Sequence, residues 1–118
     1  MATASIAVIG GDGIGPEVIE QAIRVTESAL PRDNVRLAWN RLPWGSAIYK
    51  KTGKILPDDG WDTLRQHDAI LFGAVGSPDV PDSVTVHNLL LPMRRRFDLY
   101  VNLRPAYLFD GVQSPLRD

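Results

Sequence analysis

Two arginines in the second half of the chain have the residue type and placement for chemistry. Arg94 lies in LLLPMRRRFD and Arg104 in NLRP, where Pro105 restricts the preceding residue to an extended backbone. The segment therefore predicts a helix-to-strand junction with one guanidinium on each side. Two such groups can converge on one small carboxylate, because the planar guanidinium binds a carboxylate through two parallel hydrogen bonds and stays charged near neutral pH. The neighbours Arg95 and Arg96 are expected to lie on a solvated helix face.

A glycine-rich loop, Gly10 to Gly15, is the second candidate. Its glycines fall at positions 10, 11, 13 and 15. A standard Rossmann fingerprint instead requires G-x-G-x-x-G and an acidic residue at the end of the next strand, where this chain has Asn40. Taken alone, the glycines favour a sharp turn between a strand and a helix.

A second loop, Gly73 to Asp82, follows an apolar run, and His87 comes soon after it. Ligands of open α/β sheets bind in crevices at the carboxyl ends of parallel strands, which makes this loop a candidate as well. The alternative is a connecting loop that is rich in glycine and proline, as loops usually are. His87 can act as a base or a hydrogen-bonding group, or it can be a solvated loop residue; it has no spaced companion that would suggest a metal site.

The elements that position these residues alternate between apolar runs and amphipathic patterns, which predicts an α/β fold with a doubly wound, mostly parallel sheet. Asn88 is a suitable N-cap for the helix that carries Arg94, and it would leave Pro92 at the edge of the first turn. For three consecutive leucines, packing against the sheet is favoured over lining a pocket. The predicted strands are Ser5–Ile9 and Asp68–Ala74, both buried, and Val35–Trp39, half-exposed; the predicted helices are one from Pro16 to Leu30, stopped by Pro31, a short one over Pro57–Gln66, and the Arg94 helix.

Composition excludes several kinds of function. The formal net charge is −1, from 13 basic and 14 acidic side chains, so neither nucleic acid nor an anionic membrane is expected as a partner. The absence of cysteine removes disulfides, thiolate catalysis and thiolate metal sites together. The amino terminus has neither a basic leader nor a long apolar run, which predicts a soluble cytoplasmic protein.

Three segments, GGDGIGPEV, DAILFGAVGSP and LLLPMRRRFDLYVNLRP, together resemble the metal-dependent decarboxylating hydroxyacid dehydrogenases. That family contains isocitrate, isopropylmalate, tartrate and D-malate dehydrogenases, and the resemblance runs from Ile6 to about Pro115. Isopropylmalate dehydrogenases carry glutamate at the position of His87, and isocitrate dehydrogenases carry serine and asparagine where Asn88 and Leu90 stand. The stretch from Pro81 to Arg95 instead looks closest to the tartrate and D-malate branch.

The resemblance implies roles for individual residues. It implies that Arg94 and Arg104 bind a substrate carboxylate beside Leu90, and that His87 faces the cofactor. It places two loop segments at the cofactor pocket, Asp12, Gly13, Ile14 and Gly15 in the first and Val75 and Gly76 in the second. No catalytic residue and no metal ligand are assigned in this chain, because the resemblance implies that the aspartates that bind Mg or Mn, and the lysine and tyrosine of proton transfer, come from sequence beyond Asp118. The aspartates at 58, 59 and 62 are expected to complement a helix dipole.

The resemblance also implies the reaction, in which a 2R-hydroxy acid is oxidised by NAD with the help of Mg or Mn and in some members loses a β-carboxylate. We expect residues 1–99 to belong to the large cofactor-binding domain and residues 100–118 to begin the crossing into a second domain. We expect this 118-residue chain to be an amino-terminal fragment that is inactive alone, within a homodimeric enzyme. Two alternatives stay open: an isopropylmalate or isocitrate dehydrogenase, and a nucleotide-binding module without catalysis.

Overall fold

The structure, a computed structural model, describes residues 2–30 and 35–116. Three strands and five α-helices follow one another in an alternating order, and a single π-helical turn joins the last two helices. In chain order they are β1 (Ala2–Gly11), α1 (Gly15–Ala29), β2 (Val35–Arg41), α2 (Ser46–Thr52), α3 (Gly60–Arg65), β3 (Ala69–Ala74), α4 (Asp82–Thr85), the π-turn (Val86–Leu90) and α5 (Leu91–Arg96).

The three strands form one parallel sheet with the order β2-β1-β3. The central strand is the most enclosed, because Ile6 to Ile9 are buried. This confirms the prediction of a first strand that is covered on both faces. The third strand is only half-buried, although its sequence predicts a buried strand. Among the described residues β3 pairs with β1 alone, so one of its edges is open.

Alternate residues of β1 supply two separate apolar layers, one on each face of the sheet. Ile6 and Val8 pack with Ile19 and Ile23 of α1. Ala7 and Ile9 face the opposite layer, which also contains Trp44, Leu64, Leu89 and Met93 from the other helices and loops. Helices therefore cover both faces, and the doubly wound α/β fold is confirmed.

The helical segment around Arg94 differs from its prediction. It begins at Asp82, with Pro81 as the capping residue, so the N-cap role predicted for Asn88 is wrong. Asn88 and His87 lie instead inside the π-turn, where the Leu91 N–H donates to the Val86 carbonyl. This wider turn ends two residues before Pro92, which has no N–H to donate and would strain a regular helix at this point. The π-turn thus explains how α4 and α5 continue as one helical run.

The strand predicted to carry Arg104 is also absent. Residues 101–109 have no regular secondary structure, and residues 101–116 are exposed throughout. An extended segment becomes a strand only when its backbone pairs with another strand, and none pairs with it among the described residues. The helix-to-strand junction predicted between Arg94 and Arg104 is therefore a helix followed by an exposed, unpaired segment.

Two smaller differences concern the short helices. The helix predicted from Pro57 begins three residues later, at Gly60, because Pro57 to Asp59 form a turn in which the Gly60 N–H donates to the Pro57 carbonyl. Helix α2 was not predicted, although its end carries an ordinary signal: Gly53 adopts a left-handed φ of 74° directly after a basic last turn. In the described ranges, no helix is both long and apolar enough to cross a membrane.

Candidate functional site

The carboxyl ends of the three parallel strands lead into loops that meet at one edge of the sheet. Asp12 follows β1, Gly45 and Ser46 follow β2, and Gly76 follows β3. The backbones are in direct contact, since the Asp12 N–H donates to the Ala74 carbonyl at 2.7 Å. This edge is where open α/β sheets bind ligands, and we refer to it as the crevice.

The carboxylate of Asp12 lies at the centre of the crevice. Its Oδ1 accepts from the Ser46 N–H at 2.8 Å. Its Oδ2 accepts from the Ser46 hydroxyl at 2.6 Å and from the Gly76 N–H at 2.9 Å. One half-buried side chain therefore joins the three loops.

The glycines of the crevice fall into two groups according to what surrounds them. An added Cβ at Gly11 would lie 1.9 Å from the Ala74 carbonyl oxygen, and one at Gly15 would lie 2.1 Å from the Gly10 carbonyl oxygen. These two positions need glycine because backbone packs against backbone there. Gly13 and Gly76 are different, because a Cβ at either would meet no atom within 4 Å. Of these four glycines, Gly13 and Gly76 are the two whose backbone a ligand could approach from the side where a Cβ would project.

The remaining residues of the first loop and the second loop lie around this opening. Ile14 is 69% exposed and gives the start of α1 an uncovered apolar side chain. Val75 is half-buried and packs against the larger apolar layer. The structure thus brings both predicted cofactor segments to the same edge of the sheet.

The predicted substrate residues follow the helical run that leaves the second loop. His87 is exposed in the π-turn, while Leu90 and Arg94 are half-buried on successive turns. No ion pair with a carboxylate occupies Arg94 among residues 2–30 and 35–116. Arg104 is exposed in the unpaired segment and makes no hydrogen bond with a described residue, so the structure shows no shared enclosed site for the two arginines.

Two ion pairs connect elements that lead into or out of the crevice loops. Lys50 of α2 donates to Asp79 in the loop after β3, and this hydrogen bond, together with the lysine charge, lowers the pKa of the Asp79 carboxyl. On the other face, Glu20 of α1 pairs with Arg41 at the end of β2, and its hydrogen bond and negative charge raise the pKa of that guanidinium. All four side chains are substantially exposed, so these pairs contribute little to stability.

A divalent cation finds no ready site in the described part of the chain. No group of three or more His, Asp or Glu side chains there is arranged to hold a metal ion. The aspartates of the α3 region are exposed, and two of them already face cations, Asp58 with Lys54 and Asp62 with Arg65. The residues described here therefore do not fit a Mg or Mn centre.

Ser46 is the residue of the crevice that the sequence did not single out. It is 3% exposed, and it bonds Asp12 through both its N–H and its hydroxyl. The available signal was Gly45 directly before SAIYKKT, of which Ser46 is the first residue, since serine and glycine are common at helix starts. That signal predicts a helix terminus but not the partner of its hydroxyl.

Comparison with known proteins agrees with this architecture. A protein-family model described as isocitrate/isopropylmalate dehydrogenase matches residues 5–118. The chain is 46% identical over 114 residues to a probable tartrate dehydrogenase/decarboxylase of Agrobacterium vitis, and 49% identical over 118 residues to the decarboxylating D-malate dehydrogenase of Escherichia coli strain K12. It is 47% identical over 114 residues to the 3-isopropylmalate dehydrogenase of Thermobifida fusca strain YX.

These alignments cover 96%, 98% and 97% of this chain but only 32%, 33% and 32% of the respective relatives. The chain therefore spans about a third of the length of the curated relatives it matches. Among solved structures, the apo form of a β-decarboxylating dehydrogenase from Thermococcus kodakarensis superposes with a TM-score of 0.61 at 34% identity, over 82% of this chain and 27% of that one. The parallel sheet, the crevice and these matches together show that the chain belongs to the isocitrate/isopropylmalate dehydrogenase family.

Proposed function

We propose that the protein to which this chain belongs is an NAD-dependent, Mg- or Mn-dependent oxidoreductase. It oxidises a 2R-hydroxy dicarboxylic acid such as tartrate or D-malate, with decarboxylation where a β-carboxylate is present. The observation that carries the proposal is the meeting of the loops after β1, β2 and β3 at one edge of the sheet, with two glycines left open. In a member of a dehydrogenase family, that edge is the natural place for a cofactor.

The cofactor contacts are proposed for two groups of residues. Gly13 and Gly76 expose backbone that can approach the dinucleotide closely, because no neighbour occupies the space that a side chain would fill. Bound NAD would supply the hydride acceptor, and the chain would orient its nicotinamide end. The residues proposed to border the cofactor are Asp12, Gly13, Ile14, Gly15, Val75, Gly76 and His87.

The substrate contacts are proposed for Arg94 and Arg104, with Leu90 beside them. Arg94 is half-buried and has no carboxylate partner among the described residues, which is the condition expected of a cation that receives an anionic ligand. Arg104 is exposed, so it would have to move towards Arg94 or meet the ligand from the other side.

The choice of substrate rests on the residues near the start of the substrate helix. His87, Asn88 and Leu90 differ from the residues that isopropylmalate and isocitrate dehydrogenases carry there, and this favours tartrate or D-malate. The identities of 46%, 49% and 47% to tartrate, D-malate and isopropylmalate relatives do not separate these substrates. A 3-isopropylmalate dehydrogenase is therefore the second candidate. A homodimer in the cytoplasm remains part of the proposal.

The test is an assay of the native gene product with D-malate, tartrate, 3-isopropylmalate and isocitrate, each with NAD or NADP and with Mg or Mn. We expect reduction of NAD with D-malate or tartrate, and a preference for 3-isopropylmalate would transfer the proposal to the second candidate. No reduction with any of the four acids would refute a hydroxyacid dehydrogenase.

Arg104→Lys tests the carboxylate contact within the same assay. Lysine keeps the charge but loses the two parallel hydrogen bonds, so we expect substrate binding to weaken by about 1–3 kcal/mol. Arg95→Lys is the matched control, because Arg95 is exposed and has no proposed ligand contact. An unchanged Michaelis constant in Arg104→Lys would refute the role of Arg104.

A further inference from the structure

We infer that Asp12 is a positioning residue, whose carboxylate holds Ser46 and Gly76 in place and so presets the crevice without itself bonding the cofactor. The inference rests on the proposed function, because it assigns a division of labour within the same crevice. Gly13 and Gly76 have the open backbone that the cofactor would approach, and the Asp12 carboxylate holds the Gly76 backbone in position through its N–H.

The first step is the number of hydrogen bonds that Asp12 already accepts. An ionised carboxylate has about four lone-pair positions and no donor. Three are used by Ser46 and Gly76, at distances of 2.8, 2.6 and 2.9 Å. The remaining position is on Oδ1, beside Gly45, where a Cβ would come within 2.8 Å of this oxygen. Most of the hydrogen-bonding capacity of the carboxylate is therefore used within the protein.

The second step is the position of the groups that it holds. Gly76 has a φ of 145°, which strongly favours glycine, and its surroundings are open on the side where a Cβ would project. Beyond Gly76, the next backbone bond of this loop, from the Val80 N–H to the Ser77 carbonyl, is internal to it. Among the described residues, the Lys50–Asp79 ion pair is the other polar side-chain contact between this loop and α2, and its side chains are 46% and 71% exposed. The Asp12 carboxylate instead links this loop to Ser46, which is 3% exposed.

The third step is the charge of the bond. Hydrogen bonds that end on a carboxylate are roughly twice as strong as neutral ones. Asparagine in place of Asp12 retains one acceptor oxygen and presents an NH2 group on the other side, where it meets a backbone N–H. Whichever way the amide turns, either Ser46 or Gly76 loses its partner, while the shape of the side chain is preserved.

The experiment compares the wild-type native gene product with its Asp12→Asn, Ser46→Ala and Ile23→Val variants. Ser46→Ala removes the hydroxyl bond and keeps both backbone bonds. Ile23→Val should lower stability by removing a methyl group from the apolar layer between α1 and the sheet, where Ile23 is 6% exposed. This variant therefore controls for the effect of a loss of stability alone. Two properties are measured in folded samples: the exchange rates of the Ser46 and Gly76 amide protons by NMR, and the dissociation constant for NADH from a titration.

We expect Asp12→Asn to accelerate exchange of one or both of these amides and to weaken NADH binding about tenfold, as the loss of one charge-assisted bond implies. Ser46→Ala should weaken NADH binding about threefold, and Ile23→Val should change neither property selectively. Equal NADH affinity in Asp12→Asn and wild type would overturn the inference. Weaker binding without faster exchange would also overturn it, because it would mean that Asp12 contacts the cofactor directly.

The two proposals fail in different ways. A wild-type native gene product that binds no NADH at millimolar concentration would refute the cofactor crevice and this inference with it. Binding by the wild type that is insensitive to Asp12→Asn would refute the positioning role alone. If Asp12→Asn does not fold, Ser46→Ala provides the test. An unchanged NADH affinity together with an unchanged exchange rate of the Gly76 amide proton in that variant would overturn the inference.

Discussion

Replacing two neighbouring glycines by alanine should separate packing from ligand access in the crevice. In Gly15→Ala the new Cβ would lie 2.1 Å from the Gly10 carbonyl oxygen and 2.8 Å from the Ala74 nitrogen, whereas ordinary contacts begin at 3.4 Å. Both obstacles are backbone atoms of the sheet, so neither can turn aside as a side chain would. We expect a loss of stability of about 3 kcal/mol, at the upper end of what overpacking usually causes.

Gly13→Ala is the matched change two residues earlier in the same loop. Nothing lies within 4 Å of the new Cβ, but the φ of 55° is left-handed. That conformation costs alanine about 1–2 kcal/mol, and the smaller entropy of the unfolded chain offsets about 0.4–1 kcal/mol of it. The net loss of stability should therefore be about 1 kcal/mol, far below that of Gly15→Ala.

Urea unfolding at 25 °C, followed by tryptophan fluorescence and far-ultraviolet circular dichroism, measures both values. Equal m-values in the variants and the wild type are needed for the comparison, since a change in m indicates a changed unfolded or native state. An NADH titration of the folded Gly13→Ala variant then tests access, and we expect weaker binding because its methyl group projects into the opening. If Gly15→Ala proved as stable as Gly13→Ala, the backbone packing inferred for Gly15 would be refuted.

Three further predictions concern stability and association. Leu89→Ala should lower the free energy of unfolding by about 2–5 kcal/mol, because Leu89 is 0% exposed. Leu91→Ala, at a position that is 36% exposed, should lower it clearly less. Equal losses in the two variants would contradict the burial of Leu89 in the core. Lys50 lowers the pKa of the Asp79 carboxyl. The small contribution of this ion pair to stability is therefore present above the ordinary aspartate pKa, and it is lost as the pH falls through the lowered pKa of Asp79. If the wild type remained more stable than Asp79→Asn in still stronger acid, this prediction would be refuted. One edge of β3 is unpaired among the described residues, and exposed apolar residues follow it, which together predict concentration-dependent association in sedimentation velocity. A monomer at all concentrations would argue against association through this edge.

Much of the fold was accessible from local patterns. The apolar run of β1, the amphipathic period of α1 and the alternation in β2 are patterns within short stretches of sequence. Each pattern indicates whether a stretch is helix or strand, so the types and approximate bounds of these three elements are predicted. The order of these elements then favoured a parallel sheet with helices on both faces. The glycines at the end of β1 indicated a turn, and two of them do serve backbone packing.

Other features depended on contacts that no local pattern contains. The segment around Arg104 has the composition of a strand, but strand formation needs a pairing partner, and none pairs with it among the described residues. Asn88 has the chemistry of an N-cap, yet the helix begins earlier, at Asp82, and a π-turn accommodates Pro92. In both cases the residue types have the stated local preference, and the tertiary contacts override it.

The sequence by itself determined the class of fold, the order of the three strands and the loops in which ligand-binding residues are to be sought. Only the tertiary structure decided which polar atoms meet in the crevice. The Asp12 carboxylate joins Ser46, 34 residues away, and Gly76, 64 residues away. Such contacts follow from the parallel pairing of β1 with both β2 and β3, which brings the carboxyl ends of all three strands to one edge. Periodicity records whether a residue is buried, but it carries no information about which distant residue will lie beside it.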